Sequence, residues 1–119
     1  MLTATCHCGD IRVTVPRKPR RLTRCNCSIC HRLGTLWAYY PADRVKIEAK
    51  RGATDEYVWG DKMLKFVRCK SCGCVTHWAP LKVADTSRVG VNAGGLERNA
   101  VEGIRVRRFD GADTWKFLD

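Results

Sequence analysis

Apolar and polar residues alternate over short runs along this chain, with turn residues between the runs. Ile11-Arg12-Val13-Thr14-Val15 and Val45-Lys46-Ile47-Glu48-Ala49 alternate strictly, as expected for strands with one buried face. Thr35 to Tyr40 is rich in β-forming residues and stops at Pro41. Asp55 to Trp59 ends at Gly60-Asp61, Met63 to Val67 runs towards Cys69, and Val75 to Trp78 is closed by Pro80. Arg88 to Val91 and Ile104 to Phe109 complete the set. Strands recurring at this spacing predict an all-β, antiparallel domain spanning residues 1–119. One segment reads as helix: Ser28 to Leu33 has a capping residue at Ser28, cations in its last turn and Gly34 just beyond. A second helical turn fits between Leu96 and Val101.

Composition narrows the class. A chain of 119 residues with 45% hydrophobic residues can fold around a modest core that an added staple would help. No apolar run approaches the roughly 20 residues of a membrane span. The opening residues, Met1 to Cys6, lack the basic-then-apolar order of a secretion signal. A cytoplasmic protein in a reducing compartment is therefore expected.

Eight cysteines then change the picture. They stand at 6, 8, 25, 27, 30, 69, 72 and 74, in three tight clusters. In a reducing compartment such clusters read as metal ligands before disulfides. Cys6-His7-Cys8-Gly9 and Cys69-Lys70-Ser71-Cys72-Gly73 each place a glycine directly after the last cysteine. Folding a chain tightly around a metal requires backbone conformations that glycine adopts most readily. Two such knuckles facing each other make a tetrahedral structural zinc site from Cys6, Cys8, Cys69 and Cys72. The free energy of metal binding then becomes folding free energy, on the order of 10 kcal/mol.

The middle cluster, Cys25-Asn26-Cys27-Ser28-Ile29-Cys30, offers three sulfurs within six residues. Three ligands with one open position match a catalytic zinc. Two other readings stay open: a closed site completed by Cys74 or His31, and a redox or metal-transfer cluster. Cys74 otherwise reads as a small buried residue. His7 sits between two ligands, His31 could orient a substrate or take a proton, and His77 is a candidate wall residue. Trp37, Tyr39, Tyr40 and Trp78 follow closely after the clusters and could line a pocket beside the metal.

Charge bears on partners. The formal charge is +10, and loading two zinc ions onto seven thiolates would leave the chain basic. Arg17-Lys18-Pro19-Arg20-Arg21-Leu22-Thr23-Arg24 is the densest run. It reads first as a solvated loop between strands and second as an anion-binding patch.

The order Cys-x-Cys-Gly, Cys-x-Cys-x-x-Cys, Cys-x-x-Cys-Gly resembles that of the glutathione-dependent formaldehyde-activating enzyme family, which includes the centromere protein V domain. Val91-Asn92-Ala93-Gly94-Gly95-Leu96-Glu97 and the stretch Arg105 to Trp115 extend the likeness over nearly the whole chain. The resemblance implies an antiparallel β-tent pinned by two zinc ions, one held by Cys6, Cys8, Cys69 and Cys72 and a second by Cys25, Cys27 and Cys30. It implies carbon–sulfur lyase chemistry that joins glutathione to formaldehyde as S-(hydroxymethyl)glutathione. Glutathione or its adduct would be the partner; its carboxylates would need cations, and Arg24 and Arg32 lie nearest the cluster in sequence, with His31 and Trp37 as further substrate-binding candidates. His31 stands where many relatives carry arginine, and Cys74 lies outside the family pattern. The alternatives are a zinc-stabilised module that binds nucleic acid or another anionic partner, and a structural zinc domain for self-association.

Overall fold

The computed structural model describes residues 1–84 and 86–119. Among these residues, eleven strands form two sheets. The smaller sheet holds β1 (Leu2–Thr5), β2 (Ile11–Val15) and β5 (Lys46–Ala49), in the order β1-β2-β5. The larger sheet contains β3 (Leu22–Cys25), β4 (Trp37–Pro41), β6 (Thr54–Tyr57), β7 (Leu64–Cys69), β8 (Val75–Pro80), β9 (Arg88–Asn92), β10 (Val106–Asp110) and β11 (Lys116–Phe117). Its order is β11-β10-β3-β4-β9-β8-β7-β6. Two short helices, α1 (Ser28–Leu33) and α2 (Arg98–Val101), complete the elements that matter here. No helix among the described residues is long and apolar enough to cross a membrane.

The all-β expectation holds, with a difference in pairing. Every strand pair is antiparallel except β3 with β10, which run parallel from Val106↔Leu22 to Phe109↔Cys25. The sheet is therefore mixed. The basic run also differs from a plain loop: its last residues enter β3, where Leu22 and Thr23 are buried. Strand pairing and burial of these two residues outweigh the charges around them.

The larger sheet is buried on both faces at its centre. One face packs on the smaller sheet, where Ile11, Val13 and Val15 of β2 meet Ala38 and Tyr40 of β4 and Val89 and Val91 of β9. The other face carries Trp37 and Tyr39 of β4, Phe66 of β7 and Trp78 of β8, and α1 supplies Cys30, Ile29 and Leu33 to it. Strand side chains alternate between faces. A strand covered on both sides has no polar alternation. That is why Trp37-Ala38-Tyr39-Tyr40 reads as a continuous apolar run while β2 alternates. Gly34 ends α1 in the left-handed conformation, φ 68°, and its N–H donates to the Cys30 carbonyl at 2.9 Å. The residue before the helix is Cys27, in an extended conformation, so the start of α1 falls inside the middle cysteine cluster.

Candidate metal centres

The two knuckles meet. Cys6 follows β1 and Cys69 ends β7, two strands that lie in different sheets. In each knuckle the glycine turns the chain back: the Gly9 N–H donates to the Cys6 carbonyl at 3.2 Å and the Gly73 N–H to the Cys69 carbonyl at 2.8 Å. Both glycines have positive φ, 86° and 78°. A side chain at either would meet no atom within 4 Å, so the backbone angle, not space, requires glycine. The sulfurs of Cys6, Cys8, Cys69 and Cys72 all lie within 4.8 Å of one another. The Cys6–Cys8 and Cys8–Cys69 separations are 3.7 and 3.5 Å. A tetrahedral zinc with ~2.3 Å bonds to sulfur has edges of about 3.8 Å, which these two separations match. The Ile11 N–H donates to Cys6 Sγ at 3.3 Å. Backbone N–H groups of Cys74 and Cys8 bring the Cys72 thiol down to about 6. Asp10 ties the knuckles together from outside, accepting from Ser71 Oγ at 3.3 Å and pairing with Lys50 at 3.2 Å.

The second group lies on the opposite face of the larger sheet. Cys25 ends β3, Cys27 precedes α1 and Cys30 sits in its first turn. Their sulfurs also lie within 4.8 Å of one another, and no fourth histidine, cysteine or carboxylate among the described residues joins them. Cys74 and His31, the two candidates for a fourth position, stay outside. Cys25 and Cys30 are buried and Cys27 is partly exposed. Trp37 is 1% exposed, and its indole N–H donates to Cys30 Sγ at 3.3 Å. The Cys27 N–H points to Cys25 Sγ at 3.5 Å. Hydrogen bonding from Cys30, opposed by burial and helped by backbone donors of Cys27 and Gly111, brings the Cys25 thiol down to about 6. The partner thiol of Cys30 is pushed up, chiefly by its bond to Cys25 and by burial. The trio thus favours a thiolate at Cys25, the form that binds metal. Tyr39 shares the apolar cluster around the trio, and burial together with the nearby Cys25 and Cys30 charges pushes its hydroxyl up to about 12.

The C-terminal segment holds the trio in place. Asn26, between the first two cysteines, donates its backbone N–H to the Phe109 carbonyl at 3.2 Å. Its side chain donates to Asp110 Oδ1 and accepts from the Ala112 N–H, both at 3.0 Å. Asp110 also accepts from the N–H of Asp113 and from the N–H and hydroxyl of Thr114. These bonds, Asn26 foremost, hold its carboxyl below the usual carboxylate range. Gly111 packs so closely that a Cβ there would lie 2.6 Å from Cys25 Sγ. The sequence reading did not single out Asn26, Asp110 or Gly111. The one available signal was the Asp-Gly turn pair at 110–111.

The residues expected beside the substrate are placed differently from one another. Arg24 is exposed and, by strand alternation, faces away from Cys25. His31 and Arg32 are exposed on α1, and Arg32 donates to the Ser28 carbonyl at 2.9 Å. Trp37 is buried against Cys30 and acts on sulfur rather than lining an open wall.

Fold and site together define a class: an all-β protein with two cysteine clusters able to hold metal, one with four sulfurs and one with three. The profile of the glutathione-dependent formaldehyde-activating enzyme family matches residues 1–107, and the chain belongs to that family. A crystal structure of a Rhodobacter sphaeroides protein is similar in fold, with a TM-score of 0.71 and 24% identity, covering 88% of this chain and 99% of that one. No curated protein matches the chain significantly.

Proposed function

We propose that this protein is a zinc-dependent enzyme of the carbon–sulfur lyase type, making or breaking an adduct between a thiol such as glutathione and an aldehyde. The observation that carries this reading is the convergence of Cys25, Cys27 and Cys30 with no fourth donor among the described residues. In this reading Cys6, Cys8, Cys69 and Cys72 hold a structural zinc, and the trio holds a second one. A zinc bound there would supply stabilisation of a substrate thiolate or polarisation of a carbonyl oxygen.

The chain's own residues do the rest. Trp37 fixes Cys30 through its N–H, and the Asn26–Asp110 pair fixes the chain between Cys25 and Cys27. Trp78, Phe66 and Phe109 surround the trio with apolar surface that excludes water. Tyr39 keeps its proton at neutral pH and offers a hydroxyl donor at the edge of that surface. All eight cysteines are free of disulfides, which suits the reducing cytoplasm.

The test is the rate of glutathione–formaldehyde adduct formation over the spontaneous reaction, with zinc-loaded protein. A rate excess that chelation removes and zinc restores is expected. Cys30→Ser should remove the excess while the protein stays folded with one zinc. No excess with glutathione, cysteine or a panel of other thiols overturns the proposal.

A further inference from the structure

A cleft of about 570 Å³ opens at the start of β3, and four arginines surround it. Arg17, Arg20 and Arg21 come from the loop between β2 and β3, and Arg88 begins β9. Thr23 and Tyr39 form part of its wall. The loop is anchored: Tyr40 donates its hydroxyl to the Arg17 carbonyl at 2.9 Å, Pro19 is buried, and the Leu22 N–H donates to the Arg105 carbonyl at 2.9 Å. The arginine backbone is therefore positioned before any ligand arrives.

Scattered surface cations keep a protein soluble, and that would be the plain reading of four exposed arginines. Three features argue for more. The four converge on one concavity, while Lys18 of the same loop stays out of its lining. Among the described residues, no carboxylate lies within 4.0 Å of any of the four guanidinium groups. Like charges gathered in this way repel until a counter-charge enters. All four are arginine, whose planar fork matches the paired oxygens of carboxylate and phosphate.

Two residues of the cleft wall, Thr23 and Tyr39, also border the cysteine trio. Thr23 and Cys25 lie on the same face of β3, two residues or about 7 Å apart. Tyr39 lines the cleft and packs in the same apolar cluster as Cys25 and Cys30. Arg88 stacks over the Tyr39 ring, 5.0 Å from its centre, so one side chain links the charged end to the sulfur end.

We propose that this cleft binds the oxyanions, carboxylate or phosphate, of a small polyanionic ligand. Resting on the catalytic reading above, it then holds the charged end of a substrate whose thiol end reaches Cys25, Cys27 and Cys30. Four guanidiniums exceed what glutathione neutralises, because its ammonium offsets one of its two carboxylates. The preferred thiol therefore carries a net charge of −2 or beyond.

Titration calorimetry of the zinc-loaded protein with citrate and with pyrophosphate tests the site without any chemistry. Saturable binding of either is expected, weakened at least tenfold in Arg21→Gln/Arg88→Gln and unchanged in Arg12→Gln/Lys46→Gln on the smaller sheet. Zinc content and melting temperature establish that the variants are folded. Tighter citrate assigns the site to carboxylates, and tighter pyrophosphate to phosphate. Absence of saturable binding by both, or binding indifferent to the arginine pair, overturns the site. A DNA duplex that binds through these arginines while both small anions fail replaces it with a nucleic-acid surface. The substrate part is read separately, as adduct formation with mercaptosuccinate against glutathione. Equal rates for the two overturn the charge preference, whereas anion binding with no adduct formation for any thiol overturns the catalytic reading and keeps the site.

Discussion

The indole of Trp78 lies against Gly90, so close that a Cβ built at Gly90 would overlap its Nε1 and Cε2 atoms. Gly90 is paired in the sheet with Tyr39 on one side and Trp78 on the other. The missing side chain lets the two aromatic rings meet above it, 5.8 Å apart. Gly90→Ala should push the indole off the sheet. Overpacking of this kind costs roughly 1–3 kcal/mol, which for a domain of this size corresponds to several degrees in melting temperature. Because Trp78 and Tyr39 belong to the cluster around the cysteine trio, tryptophan emission should change along with stability. A variant with native emission and native Tm would show that the contact is unimportant.

Gly111 bears on Cys25 for a different reason. Its φ is ordinary, but a Cβ would fall 2.6 Å from Cys25 Sγ and 3.2 Å from Cys27 Cβ. Gly111→Ala is therefore expected to lower zinc content from two ions per chain to one, with the four-cysteine site retained. Gly52→Ala supplies the contrast. Gly52 has φ 73° with open space around it, so alanine there should cost about 1–2 kcal/mol of backbone strain and keep both metals. Metal analysis after desalting, beside the melting temperatures, separates the two outcomes. Two zinc ions retained in Gly111→Ala would mean that the C-terminal loop is free to step aside.

The contrast between these glycines also shows what a sequence can disclose. Gly9 and Gly73 are legible because their role is local: each follows a cysteine pair and closes its turn with a bond to the first cysteine. The alternation of β2 is legible because one face is buried and the other is not. Helix α1 is legible from Gly34 and the cations before it. Strand β3 is not, since it is four residues long, lies within a run of arginines and gains its parallel partner β10 from the far end of the chain. Asn26, Asp110 and Gly111 are nearly silent for the same reason: the Asp-Gly pair marks a turn, but their roles arise only when that distant strand lies beside Cys25. The arginine cleft stands between these extremes. The run at residues 17–24 is visible as charge, but Arg88 joins it through β9, and Arg24 leaves it by strand alternation.

His77 sets a pH dependence that separates from metal release. It is buried in β8, with Nδ1 2.8 Å from Thr76 Oγ1. Burial, then the Lys65 charge, lowers its pKa from 6.5 to about 4, while Glu56 pulls weakly the other way. The unfolded chain therefore binds this proton more readily than the folded one. Its neutral form favours folding fully above about pH 6.5, and that contribution is lost as pH falls from about 6.5 to 4. The loss amounts to a few kcal/mol at most, at about 1.4 kcal/mol per unit. Thiolate protonation destabilises native and variant proteins alike, so the informative quantity is their difference. Denaturant titrations between pH 7 and 4.5 should show a shallower decline for His77→Gln than for the native chain. Parallel curves would mean that His77 titrates normally in the folded protein.

Trp37 tests whether the sulfurs of the trio depend on their hydrogen-bond donors. Its N–H reaches Cys30 Sγ at 3.3 Å from a fully buried ring, and Phe66 packs against that ring at 6.2 Å between centres. A donor to a ligand sulfur stabilises the thiolate and fixes its direction, and losing such a partner typically weakens metal binding about 10–100-fold. Trp37→Phe removes the donor but also leaves a void, so the result must be compared with a void alone. Phe66→Leu provides that comparison, since it opens space in the same cluster without touching a sulfur bond. Competition with a chromophoric chelator reads the two metal sites in order of release. Trp37→Phe should yield one zinc at a lower chelator concentration than the native protein by at least tenfold, with the second ion held as before, while Phe66→Leu should lower the melting temperature and leave both affinities close to native. If the two variants release metal alike, packing rather than the indole donor governs the trio.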